Sequence, residues 1–430
     1  MPSYTPSSSS HSSPPPKPDL QTILSSALPF LRGDLSSIDP SLPSLVSTLR
    51  SAGAADCWHK HGSFLSHLLG VHRILSLWSA PPALPLAGLF HSAYSNSYVN
   101  LAIFDPSTSR AAVRDLIGAP AERLVHLFCV VPRHALIHDH LLSHYPSDDE
   151  LRHHLLLSDA SLHAAKSNSI FDPTEPWRLK LQSILPSHGL TVKHIKTGED
   201  VPLSRRVVAS FLLMTIADFS DQLFSFQDEL FLNDNGRLDF SGNNFTALWP
   251  GDGKPGLWMN SASRMAALYN LIVREEEIFT EERKKQDGED HVRYDEDVIE
   301  LVIPPIFESC TQVLGAKEQI EGRDLYWEAV SGGGGVEKAE RLLKESIEKN
   351  PFVGEAYIVL GQVYLGMGRY EEGEKVVEKG LRLMLEWGSS WDKRMGWEGW
   401  VAWGRVLLMK AREKDWPQTS WGILNLGLVK

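Results

Sequence analysis

Apolar residues between Phe64 and Trp78 recur at three- and four-residue spacing: Phe64, Leu65, Leu68, Leu69, Val71, Ile74, Leu75 and Trp78. That period gathers them on one broad face and predicts a helix over 62–79. After Pro81 and Pro82 a second segment, rich in Ala and Leu, predicts a more deeply buried helix over 84–95. Each helix carries a histidine inside its apolar pattern, His67 in the first and His91 in the second. A buried imidazole without a partner is costly, so each needs one, and a shared partner would serve both. Further helices are predicted over 110–117, 119–130 and 134–144, separated by short breaks bearing Pro or Gly. Strand-type alternation is absent from the pattern, so the fold class is all-α.

The flanks follow the same logic. Met1–Lys17 is Ser/Pro-rich with almost no core-forming residues, so 1–18 is read as a disordered tail. Two short helices, Leu20–Leu31 and Pro43–Arg50, are expected to pack on the outside of the core helices. Asp148–Lys166 is a further helix, opened by acids that suit the positive end of its dipole. A looser segment extends to Pro202, and Arg205–Leu232 is a long apolar helix carrying Asp218. Asn233–Gly256 is a loop by its turn residues, and helix resumes at Leu257. Glu275–Asp297 is charged enough to be a solvated linker or helix surface, and Val298–Val313 is one more helix containing Pro304.

Composition narrows the function classes. With 42 basic against 54 acidic residues the net charge is −12, which argues against a nucleic-acid-binding surface. No apolar run reaches the roughly 18 residues needed to span a bilayer. Cys57, Cys129 and Cys310 are few, scattered and odd in number, which suits a reducing compartment, and none has zinc-site spacing. The expected location is the cytoplasm, or a plastid if the Ser-rich N-terminus is a transit peptide. Of 17 histidines, 15 fall between His59 and His194, more than a single metal site would use. His134 and His138, and again His140 and His144, are four apart and could pair on a metal or be solvated. No Gly-rich phosphate loop and no nucleophile elbow is present.

From residue 336 the pattern changes to helix pairs punctuated by small residues. Tyr357, Leu360-Gly361, Tyr364, Gly373, Val377 and Gly380 stand where small residues let two helices approach and aromatics fill between them. Ala339, Leu343, Ser346 and Pro351 fit the second half of a preceding unit, and Trp403-Gly404 starts another after an insertion near Gly388–Gly399. This layout resembles the tetratricopeptide repeat, which implies a helical array that binds a protein partner. Whether the array's groove is open, or is filled by the C-terminal segment with Trp416 and Trp421, stays open. The expected domains are 19–290 and 291–430.

The phrases FLSHLLGVHRIL and LAGLFHSAY, with LLMTIADFSDQ far downstream, resemble the signature helices of the HD-domain metal-dependent phosphohydrolases. The nearest branch hydrolyses the stringent-response nucleotides (p)ppGpp. The whole layout is also similar to a plant family in which an HD-like domain precedes tetratricopeptide-like helices. The resemblance implies an HD-like bundle with His67, His91 and Asp218 as metal ligands, a set that suits Mn, Fe or Zn. Two departures stand out. Ser92 replaces the Asp of the HD dipeptide, and Tyr94-Ser95-Asn96-Ser97 has no carboxylate where the family carries its catalytic acids. Asp221, one turn beyond Asp218, could compensate as a second carboxylate or be an exposed or capping acid.

Two readings follow. One is a non-catalytic or ligand-sensing HD-like domain, joined to a tail that binds protein. The other is a metal-dependent phosphohydrolase with an altered site, acting on a nucleotide or other phosphoester. A small phosphorylated ligand is compatible with both, and neither calls for nucleic acid or membrane.

Overall fold

The computed structural model of the chain describes residues 18–59, 62–95, 103–105, 109–222, 258–287, 299–312, 315–331 and 334–419. The fold is all-α, with two short hairpins among the described residues. Helices α1 (Leu20–Arg32), α2 (Leu35–Ile38) and α3 (Leu42–Ser51) lead into α4 (Phe64–Leu77) and α5 (Ala83–Leu89). The Asp19 and Ser63 side chains accept hydrogen bonds from the first turns of α1 and α4, supplying orphan amides with a partner. Helices α6 (Arg110–Ile117) and α7 (Ala119–Val130) match their predicted bounds. Then come α8 (Asp148–Asn168), α9 (Pro176–Ile184), α10 (Arg205–Gln222) and α11 (Trp258–Asp287). The C-terminal run is α12 (Phe307–Cys310), α13 (Ala316–Ser331), α14 (Gly335–Lys349), α15 (Gly354–Gly366), α16 (Tyr370–Trp387) and α17 (Trp397–Glu413).

Several local expectations are corrected. The looser segment before Pro202 contains α9 and a hairpin, Leu190–Lys193 paired antiparallel with Asp200–Leu203. Leu190 and Val192 alternate with Thr191 and Lys193, but four residues are the shortest run that carries a strand signal. The helix expected over 84–95 ends at Leu89, and His91 sits in the following turn, closed by Ala93 N–H donating to Phe90 O (2.8 Å). The 134–144 segment is π-helical over Ala135–Leu141, then one 3₁₀ turn. The helix expected over Val298–Val313 shrinks to Phe307–Cys310, because Pro304 and Pro305 bias the residues before them away from helix. The acidic stretch from Glu275 continues α11 instead of being wholly solvated. Glu275 is buried, accepting from Arg178 Nε–H (2.9 Å) and from Gln182. Removing one partner of such a buried pair typically costs about 3–5 kcal/mol. The 1–18 tail (apart from residue 18), the loop 233–256, Trp421 and the domain boundary at 290/291 lie outside the described residues.

The main core runs through α3, α4, α5, α7, α10 and α11 and continues into the C-terminal helices through Leu343, Ala356, Leu360, Tyr364, Leu383, Trp387 and Trp391. Trp78 ties the two parts. Its ring meets Phe307 edge-on and its Nε1–H donates to Glu386 O (2.9 Å). A second core surrounds Trp397, Trp400 and Trp416, and takes in Leu24 and Ala27 of α1. So α1 packs chiefly on the C-terminal helices while Phe30 also lies beside His72 of α4, and Arg382 anchors its start by donating to Pro18 O (3.0 Å). Within the C-terminal run, α15 and α16 approach closely at Gly361 and Gly373. A Cβ on Gly361 would lie 2.1 Å from Val377 Cγ2.

Gly361→Leu is therefore expected to overpack the α15–α16 contact and destabilise the protein by about 1–3 kcal/mol. Because one core serves both segments, thermal unfolding followed by far-UV and tryptophan signals is expected to shift as a single transition. Two separated transitions would show that the C-terminal helices melt independently.

Candidate metal centre

Three helical elements converge on one buried point. α4 presents His67, the turn after α5 presents His91, and α10 presents Asp218; the three residues are 4%, 3% and 6% exposed. His67 Nε2 lies 3.1 Å from Asp218 Oδ1 and 3.4 Å from His91 Nε2, and His91 Nε2 lies 3.8 Å from Asp218 Oδ1. Residues far apart in the chain thus meet: helical periodicity aims His67 and Asp218 at the core, and the turn after α5 brings in His91.

The far sides of both rings are fixed. His67 Nδ1–H donates to Asp221 Oδ2 (2.8 Å) and His91 Nδ1–H donates to Gly88 O (2.7 Å). With both Nδ1 positions protonated, each Nε2 is turned inward beside Asp218 Oδ1. Three electron-rich atoms this close need a cation or a proton between them. The ligands of an ion bound at roughly 2.0–2.2 Å would be spaced by about 3.4 Å in a tetrahedral arrangement, which matches the observed separations. A carboxylate or carbonyl behind each ring is also the usual support of a metal-binding imidazole. His67, His91 and Asp218 could therefore hold a metal ion.

Protonation reports the same arrangement. Burial would lower the basicity of His67, but the hydrogen bonds to Asp218 and Asp221 outweigh it and raise its pKa to about 9. Burial pushes His91 down to about 4. Burial also works against ionised Asp218 and Asp221, yet the His67 hydrogen bond and the surrounding cations hold both below the usual carboxylate range. In the absence of an ion, a proton on His67 Nε2 fills the centre.

Asp221 is thus buried behind His67, neither exposed nor a helix cap. Ser92 is buried beside His91 but offers no charge in place of a carboxylate. Of the positions where catalytic acids were sought, Asn96 and Ser97 lie outside the described residues. The second histidine group forms no three-ligand cluster among the described residues. There, buried His138 stacks on Phe219, and the His140 ring donates to Ile184 O (2.8 Å).

Four supporting residues are not marked by the sequence pattern. Gly70, one turn after His67, leaves the notch that Asp221 fills: a Cβ there would lie 1.9 Å from Asp221 Oδ1. Its spacing from His67 is the one signal that could have pointed to it. Arg73 lies 3.7 Å from Asp221, Arg133 sits on the Phe128 ring that packs against His91, and Lys393 enters from the C-terminal helices. Burial pushes the Lys393 amine down to about 8.

The sign of the pH dependence follows for the protein in chelator. His67, raised in the fold, contributes stability that is present below pH 6.5 and lost as pH rises through about 9. His72 and His91, depressed in the fold, contribute stability that is present above pH 6.5 and lost as pH falls through about 4. Urea midpoints should therefore fall on both sides, and ring-proton NMR should show His67 titrating near 9. A His67 midpoint at or below 6.5 would mean that the two carboxylates do not hold it.

The family model of a domain of unknown function, DUF6817, matches residues 48–133. That segment contains His67 and His91, whereas Asp218, Asp221 and Lys393 lie beyond it. No curated protein and no solved structure matches the chain. No helix among the described residues is long and apolar enough to cross a membrane.

Proposed function

We propose that the chain is a metal-binding helical protein of HD-like type. His67, His91 and Asp218 hold one divalent Mn, Fe or Zn ion in a non-catalytic or ligand-sensing role, and the C-terminal tetratricopeptide-like helices bind a protein partner. One observation carries this reading: both imidazoles are fixed through Nδ1 by separate acceptors, so that each Nε2 faces the same carboxylate oxygen. An acceptor behind each ring is the support that metal-binding imidazoles use. The non-catalytic role is supported by Ser92, which withholds a charged ligand next to His91.

The second reading, a phosphohydrolase acting on a nucleotide or other phosphoester, is favoured by the cations around the centre. Arg73 and Lys393 act on Asp221, and Arg133 acts on Asp218 and His91. Positive charge beside a bound ion suits an anionic substrate.

The purified full-length chain is expected to bind zinc or manganese in a single class of site. His91→Ala and Asp218→Asn should each weaken binding by about tenfold or more, read by calorimetry and elemental analysis. A wild-type chain that takes up neither of these ions nor ferrous iron would sink the metal reading. Turnover of p-nitrophenyl phosphate or nucleoside polyphosphates that vanishes in Asp218→Asn would move the assignment to the hydrolase.

A further inference from the structure

The C-terminal helices reach the centre through one stretch, residues 388–398. Gly388 accepts from Arg73 Nε–H (3.0 Å) and lies flat on α4, with φ +67 and only 3.3 Å between an added Cβ and Ile74 Cα. Ser389 Oγ–H donates to Ser220 O, and Lys393 Nζ donates to the same carbonyl (2.6 Å) and to Ser389 Oγ (2.8 Å). Ser220 directly precedes Asp221. The Arg73 guanidinium, 3.7 Å from that carboxylate, pairs with Glu398 and lies 4.7 Å from the Trp397 ring centroid. The group that orients His67 is therefore braced by two neighbours, Ser220 and Arg73, whose partners lie in 388–398.

We infer that residues 388–398 belong to the support of the metal centre, so that ion occupancy and docking of the C-terminal helices are thermodynamically linked. This rests on the metal-binding reading. With an ion on Nε2, the Nδ1–H bond to Asp221 is the hydrogen bond that sets the tilt of the His67 ring. Any displacement of Asp221 then misaims the ligand, and Asp221 has little freedom while Ser220 and Arg73 are clamped. Linkage is reciprocal: if docking strengthens ion binding by some factor, the ion strengthens docking by the same factor. Arg73, Gly388 and Ser389 are positioning residues in this scheme, and none of them touches the ion. The helices that would receive a partner are in this way made sensitive to occupancy of a site in the other half of the chain.

The test uses zinc on the full-length chain, with Gly388→Val and Ser389→Ala. Both substitutions leave the formal charge around the centre unchanged. Gly388→Val, which cannot lie flat on α4, is expected to weaken zinc binding by about tenfold, and Ser389→Ala by less. In the wild type, zinc is expected to slow amide exchange across 388–398, and this slowing should shrink in both variants. Variants that fold, bind zinc like the wild type and show the same exchange with and without zinc would overturn the linkage and leave the metal site standing. The linkage is equally overturned if Gly388→Val lowers only the melting temperature of the zinc-free protein. Should Gly388→Val not fold, Ser389→Ala and the wild-type exchange measurement decide. A wild-type chain that binds no zinc removes both the linkage and the site beneath it.

Discussion

An imidazole cannot be buried for nothing, and His67 answers that constraint with two carboxylates from one helix. Asp218 meets its Nε2 and Asp221 its Nδ1, one turn of α10 apart. A single charged residue left behind in this place would cost several kcal/mol. The helix pair α4–α10 is accordingly fixed in register, and the turn bearing His91 closes on the same point. Gly70 makes the register attainable, since any side chain there would occupy the space of the Asp221 carboxylate.

The same constraint reaches outward. Asp221 needs its own counter-charges, and Arg73 and Lys393 supply them. Lys393 in turn is placed by the stretch between α16 and α17, whose backbone is held by buried Glu355 accepting from the amides of Trp391 and Asp392. Tyr326 and Arg394 add hydrogen bonds to Asp392. The polar layer between the two halves of the chain thus extends from the His67–Asp218–Asp221 cluster to the C-terminal helices, and apolar packing around Trp78, Trp387 and Trp391 surrounds it. Low local dielectric strengthens such a network only while every member stays paired.

What was legible in the sequence depended on range. Most helices longer than two turns announced themselves by period, as α4, α6, α7 and α8 show, because burial of one face is a local, repeating demand, although α9 did not. His67 and His91 stood out as polar residues within apolar segments, Asp218 through the resemblance of its helix to the HD-type signature, and the close approach at Gly361 through missing side chains. Short or proline-bent pieces did not announce themselves: the 190–203 hairpin, the π-helical turn at 135–141 and the truncated helix after Pro305 are shaped by neighbours more than by their own residues.

The sequence by itself determined the all-α class and the positions of the main helices, since each follows from polarity repeated at helical spacing. The three residues that meet were marked instead by the resemblance of their segments to the HD-type signature helices. Tertiary structure alone decided that Asp221 lies behind His67 and not on the surface. It also decided that α1 covers the C-terminal helices, and that residues 388–398 brace the centre. The reason is physical: a side chain's partner across hundreds of residues is chosen by which unpaired charge or apolar face remains after local structure forms, and no local pattern encodes that remainder.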